Sequence, residues 1–222
     1  MTLYLIRHGQ SAENTRSSTS DDSPLTELGL EQARRTAAWL ADEDGLRRVT
    51  PAGSAVPTLV YTSPARRTLE TAREISSACD AALTADPDIC EYGMLYNDPG
   101  LTVAQMRTIA PRISVPPDLP VHGGWAAGHR GESTEHLVDR VERALDRISR
   151  EHPAGGPSIA VVSHAHFSGF FLGRLLNVPV ESLSRSRIRL FNCGVAAVEF
   201  TPEYRMLYFA NSVAHLNGSV SF

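Results

Sequence analysis

Two arginines and two histidines stand at comparable places along this chain, each just past a short apolar stretch. Arg7-His8-Gly9 follows Leu3-Tyr4-Leu5-Ile6, Ser63 to Arg67 follows Thr58-Leu59-Val60-Tyr61, and Ser163-His164 follows Ile159-Ala160-Val161-Val162. If these stretches are strands of one parallel sheet, the loops at their carboxyl ends emerge on one edge, where open α/β folds bind ligands. Guanidinium forks, imidazoles and the N–H groups of helix N-termini all favour an anion there. Phosphate is the natural candidate, because phosphoryl transfer asks mainly for in-line positioning and neutralisation of the equatorial oxygens. A neutral imidazole can itself act as the nucleophile.

The elements that must position these groups can be read from periodicity. Strand-like and helix-like segments alternate, which predicts α/β architecture with a mostly parallel central sheet covered by helices. Helices are expected over about 26–42, with Leu30, Ala33, Ala37 and Leu40 on one face, after Ser63-Pro64, and over about 133–151 and 166–176. Ser63 suits a helix N-cap and Pro64 the first helical position. Residues 47–57 read as a connection. Val195 to Phe200 and Arg205 to Ala210 read as paired strands around Thr201-Pro202-Glu203-Tyr204. From about 88 to 130 the pattern breaks down, with one helical candidate near 102–110; the expectation is one domain over 1–222 carrying a cap-like insertion there.

With 222 residues, of which 42% are hydrophobic, the chain can bury a substantial core. A net charge of -4 gives no general reason to expect nucleic acid or acidic membrane as a partner. Cys79, Cys90 and Cys193 show neither zinc nor redox spacing and read as small buried hydrophobes in a reducing cytosol. With no secretory signal or membrane-spanning run in view, a cytoplasmic location is expected. The eight histidines lack an H-x-x-x-H or H-E-x-x-H ligand set, so no metal and no cofactor are expected.

The run Leu5-Ile6-Arg7-His8-Gly9-Gln10-Ser11 resembles the signature of the histidine phosphatase superfamily, the phosphoglycerate mutase-like proteins. Four further segments extend the match in order. Asp22-Ser23-Pro24-Leu25-Thr26 with Gly29, Gln32 and Ala33 resembles the family's D-x-P-L-T-x-x-G-x-x-Q-A run, and Ser63-Pro64 with Arg67, Thr71 and Ala72 its S-P-x-x-R-x-x-x-T-A helix start. Gly131-Glu132-Ser133 with Arg140 is similar to its G-E-S helix, and Val161-Val162-Ser163-His164 to the strand before its second histidine. This resemblance implies a three-layer α/β/α sandwich and a phosphatase that hydrolyses a phosphate monoester through a phosphohistidine.

By the same resemblance, His8 attacks phosphorus while Arg7, Arg67 and His164 bind its oxygens and Asn14 assists at the rim. Arg66 and Arg67 are adjacent, so only one can enter the pocket; the family spacing selects Arg67. Departure of an alkoxide calls for a carboxylic acid with a raised pKa. Glu91 stands where the family keeps this acid, and Asp88 and Asp98 are the substitutes. Ala165 replaces a more usual Gly. In the insertion, Met94, Tyr96, Met106, His122, Trp125, His129 and Arg130 either cover an organic phosphate or simply pack the cap onto the core. The expected partner is a small phosphorylated molecule, and a homodimer is one assembly to consider. Two other functions share the pattern: a phosphoglycerate-type mutase, for which longer basic insertions are missing, and a non-catalytic regulator that binds a phospho-ligand.

Overall fold

The computed structural model describes residues 1–50, 55–93, 98–120, 122–127 and 131–222. Its strands are β1 (Thr2–Arg7), β2 (Leu59–Thr62), β3 (Ala82–Ala85), β4 (Ile159–Ser163), β5 (Val195–Phe200) and β6 (Arg205–Ser212). The α-helices are α1 (Glu27–Ala41), α2 (Glu43–Val49), α3 (Arg66–Ala78), α4 (Val103–Ile109), α5 (Thr134–Glu151), α6 (Ala165–Leu175) and α7 (Val180–Arg185). The sheet order is β3-β2-β4-β1-β5-β6. The β1–β4, β4–β2 and β2–β3 pairs are parallel, while β5 lies antiparallel to both β1 and β6, so β5 alone runs against the rest.

Alternation along the central strands builds two cores, one on each face of the sheet. Tyr4, Ile6, Val60, Ala160 and Val162 face one side, where Ala37 and Leu40 of α1, Leu69, Ala72 and Ile75 of α3, and Met106 of α4 pack on them. Leu3, Leu5, Tyr61, Ile159 and Val161 face the other, against Leu137, Val141, Ala144 and Ile148 of α5 and Phe167 and Phe171 of α6. The protein is therefore a three-layer α/β/α sandwich with a mostly parallel central sheet. A strand with both faces covered must be apolar throughout, which explains why β1 and β4 read as unbroken apolar runs. Trp125 and Met106 are buried in the first of these cores, so both pack rather than line an open cap. Met94, Tyr96, His129 and Arg130 lie outside the described residues.

Several elements differ from the sequence reading. Ser63 does not cap α3: that helix begins at Arg66, and its N-cap position, Ala65, offers no side-chain bond. The Asp22 carboxylate instead accepts the Arg66 N–H at 2.6 Å, supplied by a segment distant in sequence. Strand β3, helix α2 and helix α7 have no counterpart in that reading. Each is short, and β3 carries one large apolar residue in Ala-Leu-Thr-Ala, too few for periodicity to register. Helix α2 ends at Val49, inside the stretch read as a connection. Among the described residues no helix is long and apolar enough to cross a membrane.

One contact seats the β1 loop on α1. A Cβ on Gly9 would come within 2.5 Å of the Gly29 carbonyl oxygen, and a Cβ on Gly29 would overlap the Gln10 carbonyl. The Gln10 N–H also bonds the Gln32 side chain at 2.8 Å, and its carbonyl accepts the Thr26 N–H at 2.9 Å. In an ordinary helix interior, Gly→Ala stabilises by about 1 kcal/mol. Here the sign should reverse: urea denaturation of Gly29→Ala is expected to show a loss of about 1–3 kcal/mol, as for other insertions into tightly packed space. A stabilised variant would contradict the close approach.

Candidate active site

The sheet edge gathers the four residues that the spacing suggested. Arg7 and Ser163 pair across β1 and β4, and Thr62 pairs with Val162 across β2 and β4, so the residues that follow emerge side by side. The His8 N–H bonds the Ser163 carbonyl at 3.0 Å, and the Ser63 N–H bonds that of Val162 at 3.1 Å. His8, His164, Arg7 and Arg67 are all buried. The two imidazoles meet edge to face with centroids 5.2 Å apart.

The hydrogen bonds decide the tautomer of His8. Its Nδ1 lies 2.7 Å from the Gly9 carbonyl, which can only accept, so the proton sits on Nδ1. Its Nε2 receives the Arg67 Nε–H at 3.3 Å and therefore carries the lone pair. Burial, reinforced by the Arg67 and Arg7 charges, holds the His8 imidazole well below the ordinary histidine range. Burial lowers His164 likewise, with Arg67, His8 and Arg7 adding to it. The result is a neutral imidazole with an unprotonated Nε2 in a positive field.

The guanidinium groups are tied mainly to carbonyls. Arg7 donates to the Leu190 carbonyl at 2.9 Å, and Arg67 to that of Asp21 at 2.6 Å. Arg67 also pairs with the half-exposed Glu13, at 3.6 Å. Burial, followed by the neighbouring Arg189 charge, lowers Arg7 to about 10, still charged at neutral pH. Buried Arg7 Nε and His164 Nδ1 have no hydrogen-bond partner, an expense that sites for polar ligands commonly carry. His164 Nε2 meets the Ser63 hydroxyl at 2.9 Å, which gives Ser63 a place in the site rather than at a helix cap.

Asn14 is fixed beside this group. Its Oδ1 accepts from the Ser11 N–H and from Asn192 Nδ2, both at 3.1 Å, which directs its amide NH2 elsewhere. Asn192, fully buried, also donates to the His8 carbonyl at 3.1 Å. Sequence reasoning missed it because it precedes β5 and belongs to no local pattern of polar residues.

Glu91 is anchored from two sides. Its carboxylate accepts the N–H groups of Tyr92 at 2.8 Å, His166 at 3.2 Å and Phe167 at 3.0 Å, the last two at the start of α6. Burial pushes this carboxyl up, but the His166 side chain first, and then the Tyr92 and Phe167 N–H groups, outweigh it and leave the group below its usual value. The raised pKa anticipated for an acid is thus not found at Glu91. The backbone around Glu91 is held by Arg140, which donates to the carbonyls of Asp88, Cys90 and Glu91 and pairs with buried Glu132 at 2.8 Å. Ser133 caps α5 through the His136 N–H.

The remaining candidates have other engagements. Asp88 pairs with Arg143 at 2.9 Å and Arg147 at 3.4 Å. Asp98 accepts from the Ser20 hydroxyl at 2.7 Å and the Gly100 N–H at 2.9 Å. Arg66 pairs at the surface with Glu70, four residues on. Among the described residues no group of three His, Cys, Asp or Glu side chains is placed to hold a metal ion.

The model of the histidine phosphatase superfamily, branch 1, matches residues 3–212. This chain belongs to that superfamily. It is 32% identical over 205 residues to a Yersinia pestis (strain Pestoides F) protein named "Probable phosphoglycerate mutase GpmB", covering 90% of this chain and 85% of the relative. The fold is similar to that of the alpha-ribazole phosphatase of Shigella flexneri, with TM-score 0.66, 24% identity and 96% of each chain covered. It is also similar to that of mycobacterial glucosyl-3-phosphoglycerate phosphatase, with TM-score 0.65, 21% identity and coverage of 96% and 99%. The named relatives thus include both phosphatases and a mutase.

Asp22, in the superfamily-like Asp-x-Pro-Leu-Thr run, offers a test of site electrostatics. Burial pushes its carboxyl up from 3.8 to about 6, against the Arg66 N–H and the Arg67 charge. Between those values the folded protein holds a proton that the unfolded chain has released, so stability is lost as pH rises through the window. Asp22→Asn keeps an acceptor for Arg66 and removes the titration. Its Tm relative to the parent protein should therefore improve steadily from about pH 4 to about pH 7 in thermal melts. A constant difference would show that Asp22 titrates alike in both states.

Proposed function

We propose that this protein is a phosphatase that hydrolyses a small phosphate monoester through a phosphohistidine on His8. The observation that carries the reading is the unprotonated His8 Nε2, buried between Arg67 and His164 with Arg7 adjoining. Nε2 attacks phosphorus, the ester P–O bond breaks, and its electron pair leaves with the alcohol oxygen. Arg7, Arg67 and His164 bind the equatorial oxygens, and Asn14 contributes its amide NH2 at the rim. Metals and cofactors have no assigned part in these steps.

Glu91 serves as the general acid. A phosphate dianion brought beside its carboxylate raises its pKa, because like charges disfavour the ionised form. The protonated carboxyl then gives its proton to the departing oxygen. In the second step the resulting carboxylate takes a proton from water as that water attacks the phosphohistidine, which releases inorganic phosphate and restores His8.

The mutase reading is favoured by one observation, the name of the Yersinia pestis relative. It differs only in the acceptor: a second substrate hydroxyl instead of water.

Two measurements test the proposal. The wild-type protein mixed with an aryl phosphate and quenched in alkali should yield acid-labile phosphoprotein, and His8→Ala should lose both the adduct and at least about 10³-fold in turnover, as expected when a nucleophile is removed. Retained activity in His8→Ala would refute covalent catalysis, and transfer of label to an added hydroxy acid in preference to water would favour the mutase. For Glu91→Gln, kcat should fall by roughly 10²–10⁴ on alkyl phosphates and far less on nitrophenyl phosphate, whose leaving group needs no proton. Equal slowing of the two would remove Glu91 from the acid role.

A further inference from the structure

Beside the phosphate-binding cluster lies a second cavity of about 210 Å³, between α6, α7 and the chain that follows α7. Its lining is tied to the cluster at two points: His166, two residues after His164, donates its N–H to Glu91, and Arg189, whose charge reaches Arg7, precedes Leu190, whose carbonyl holds Arg7. Phe170, Leu183 and Ile188 supply apolar walls. A dry apolar space of about 150 Å³ accommodates a benzene ring, so this one has room for an aryl or short branched group.

The rim has the opposite character. Arg187 and Arg189 are both exposed, and among the described residues neither is paired with a carboxylate. Most other arginines near the sheet edge and helices are so paired, as Arg140, Arg143, Arg147 and Arg174 are. Arg187 is held in place by donating to His166 Nε2 at 2.8 Å. That bond leaves the His166 proton on Nδ1, 3.8 Å from the Glu91 carboxylate. The rim is therefore cationic, with Arg187 anchored on His166, while Phe170, Leu183 and Ile188 line the cavity with apolar surface.

We infer that the alcohol part of the substrate occupies this cavity, with an apolar body of aryl size against Phe170 and Leu183 and a terminal carboxylate on Arg187 and Arg189. The planar carboxylate suits guanidinium forks, which can take both of its oxygens. This rests on the assignment of phosphate to the His8 cluster and narrows the class of monoester it acts on. A purely polar anionic alcohol would leave the apolar walls uncovered, and a neutral aryl alcohol would leave the arginines unpaired.

The test uses three monoesters, 4-carboxybenzyl phosphate, benzyl phosphate and phosphoglycolate, together with the two matching non-hydrolysable benzylphosphonates. For the wild-type protein, kcat/KM for 4-carboxybenzyl phosphate should exceed each of the others by roughly tenfold, and calorimetry should show the same preference between the phosphonates. In Arg187→Gln/Arg189→Gln the carboxybenzyl-to-benzyl ratio should fall towards one in both measurements. A wild-type ratio near one, phosphoglycolate as the best of the three, or a ratio unaltered in the double variant would overturn the inference. Hydrolysis without the preference would count against the cavity alone. Phosphonate preference without any hydrolysis would count against the phosphatase reading alone.

Discussion

Two guanidinium groups are held almost out of water against two neutral imidazoles, and the carboxylate that pairs with Arg67 at 3.6 Å, that of Glu13, is itself half-exposed. Charges in that position are costly to desolvate, and backbone carbonyls from Leu190 and Asp21 offset only part of the cost. The same field has two chemical consequences. It adds to burial in lowering the proton affinity of His8 and His164, so that a lone pair stays available on His8 Nε2, and it makes an anion the species that best relieves the repulsion. Under the proposed phosphatase reading, activation of the nucleophile and affinity for phosphate thus share one electrostatic contribution, to which burial adds.

The placement of Glu91, the proposed acid, depends on a separate device. Arg140 and Glu132 form an ion pair with both side chains about 6% exposed, and Arg140 spends its other donors on three carbonyls in the stretch 88–91. Buried pairs of this sort add little net stability over apolar packing, but they are unforgiving of misplacement, so they fix geometry. Here the geometry fixed is that of a loop otherwise rich in proline and glycine. The N-terminus of α6 completes the arrangement, because its first N–H groups need acceptors and the Glu91 carboxylate supplies one. One helix start therefore carries His164 at its N-cap and steadies Glu91 beside it.

Local pattern made much of this legible. β5 spans the residues that alternation assigns to it, α5 starts one residue after its capping serine, and α1 starts one residue after Thr26. Fold class followed from the alternation of elements, His8, Arg7 and His164 from polar residues placed at strand ends, and Arg67 rather than Arg66 from the spacing of the family that the chain resembles. The misreading of Ser63 shows where such logic stops. Ser-Pro before a helix is a sound local cap signal, yet the Ser63 hydroxyl faces His164, 101 residues away, and the helix borrows its cap from Asp22. Asn192 was invisible for the same reason: its partners, the His8 carbonyl and Asn14, lie nearly the whole chain away.

What the sequence by itself determined is the inventory and its order: apolar runs that become strands, glycines at 9 and 29 where backbones touch, and cationic or imidazole side chains just past three strand ends. These are properties of composition and short-range spacing, and short-range physics is sufficient for them. The tertiary structure alone decided the states and directions of those groups. Which nitrogen of His8 keeps the proton depends on Gly9 and Arg67 together, the carboxyl of Glu91 is lowered chiefly by His166, 75 residues later, and the cavity beside Arg187 and Arg189 exists only where α6, α7 and the chain after α7 come together. Protonation, burial and concavity are properties of surroundings, and surroundings are assembled from residues that the chain keeps far apart.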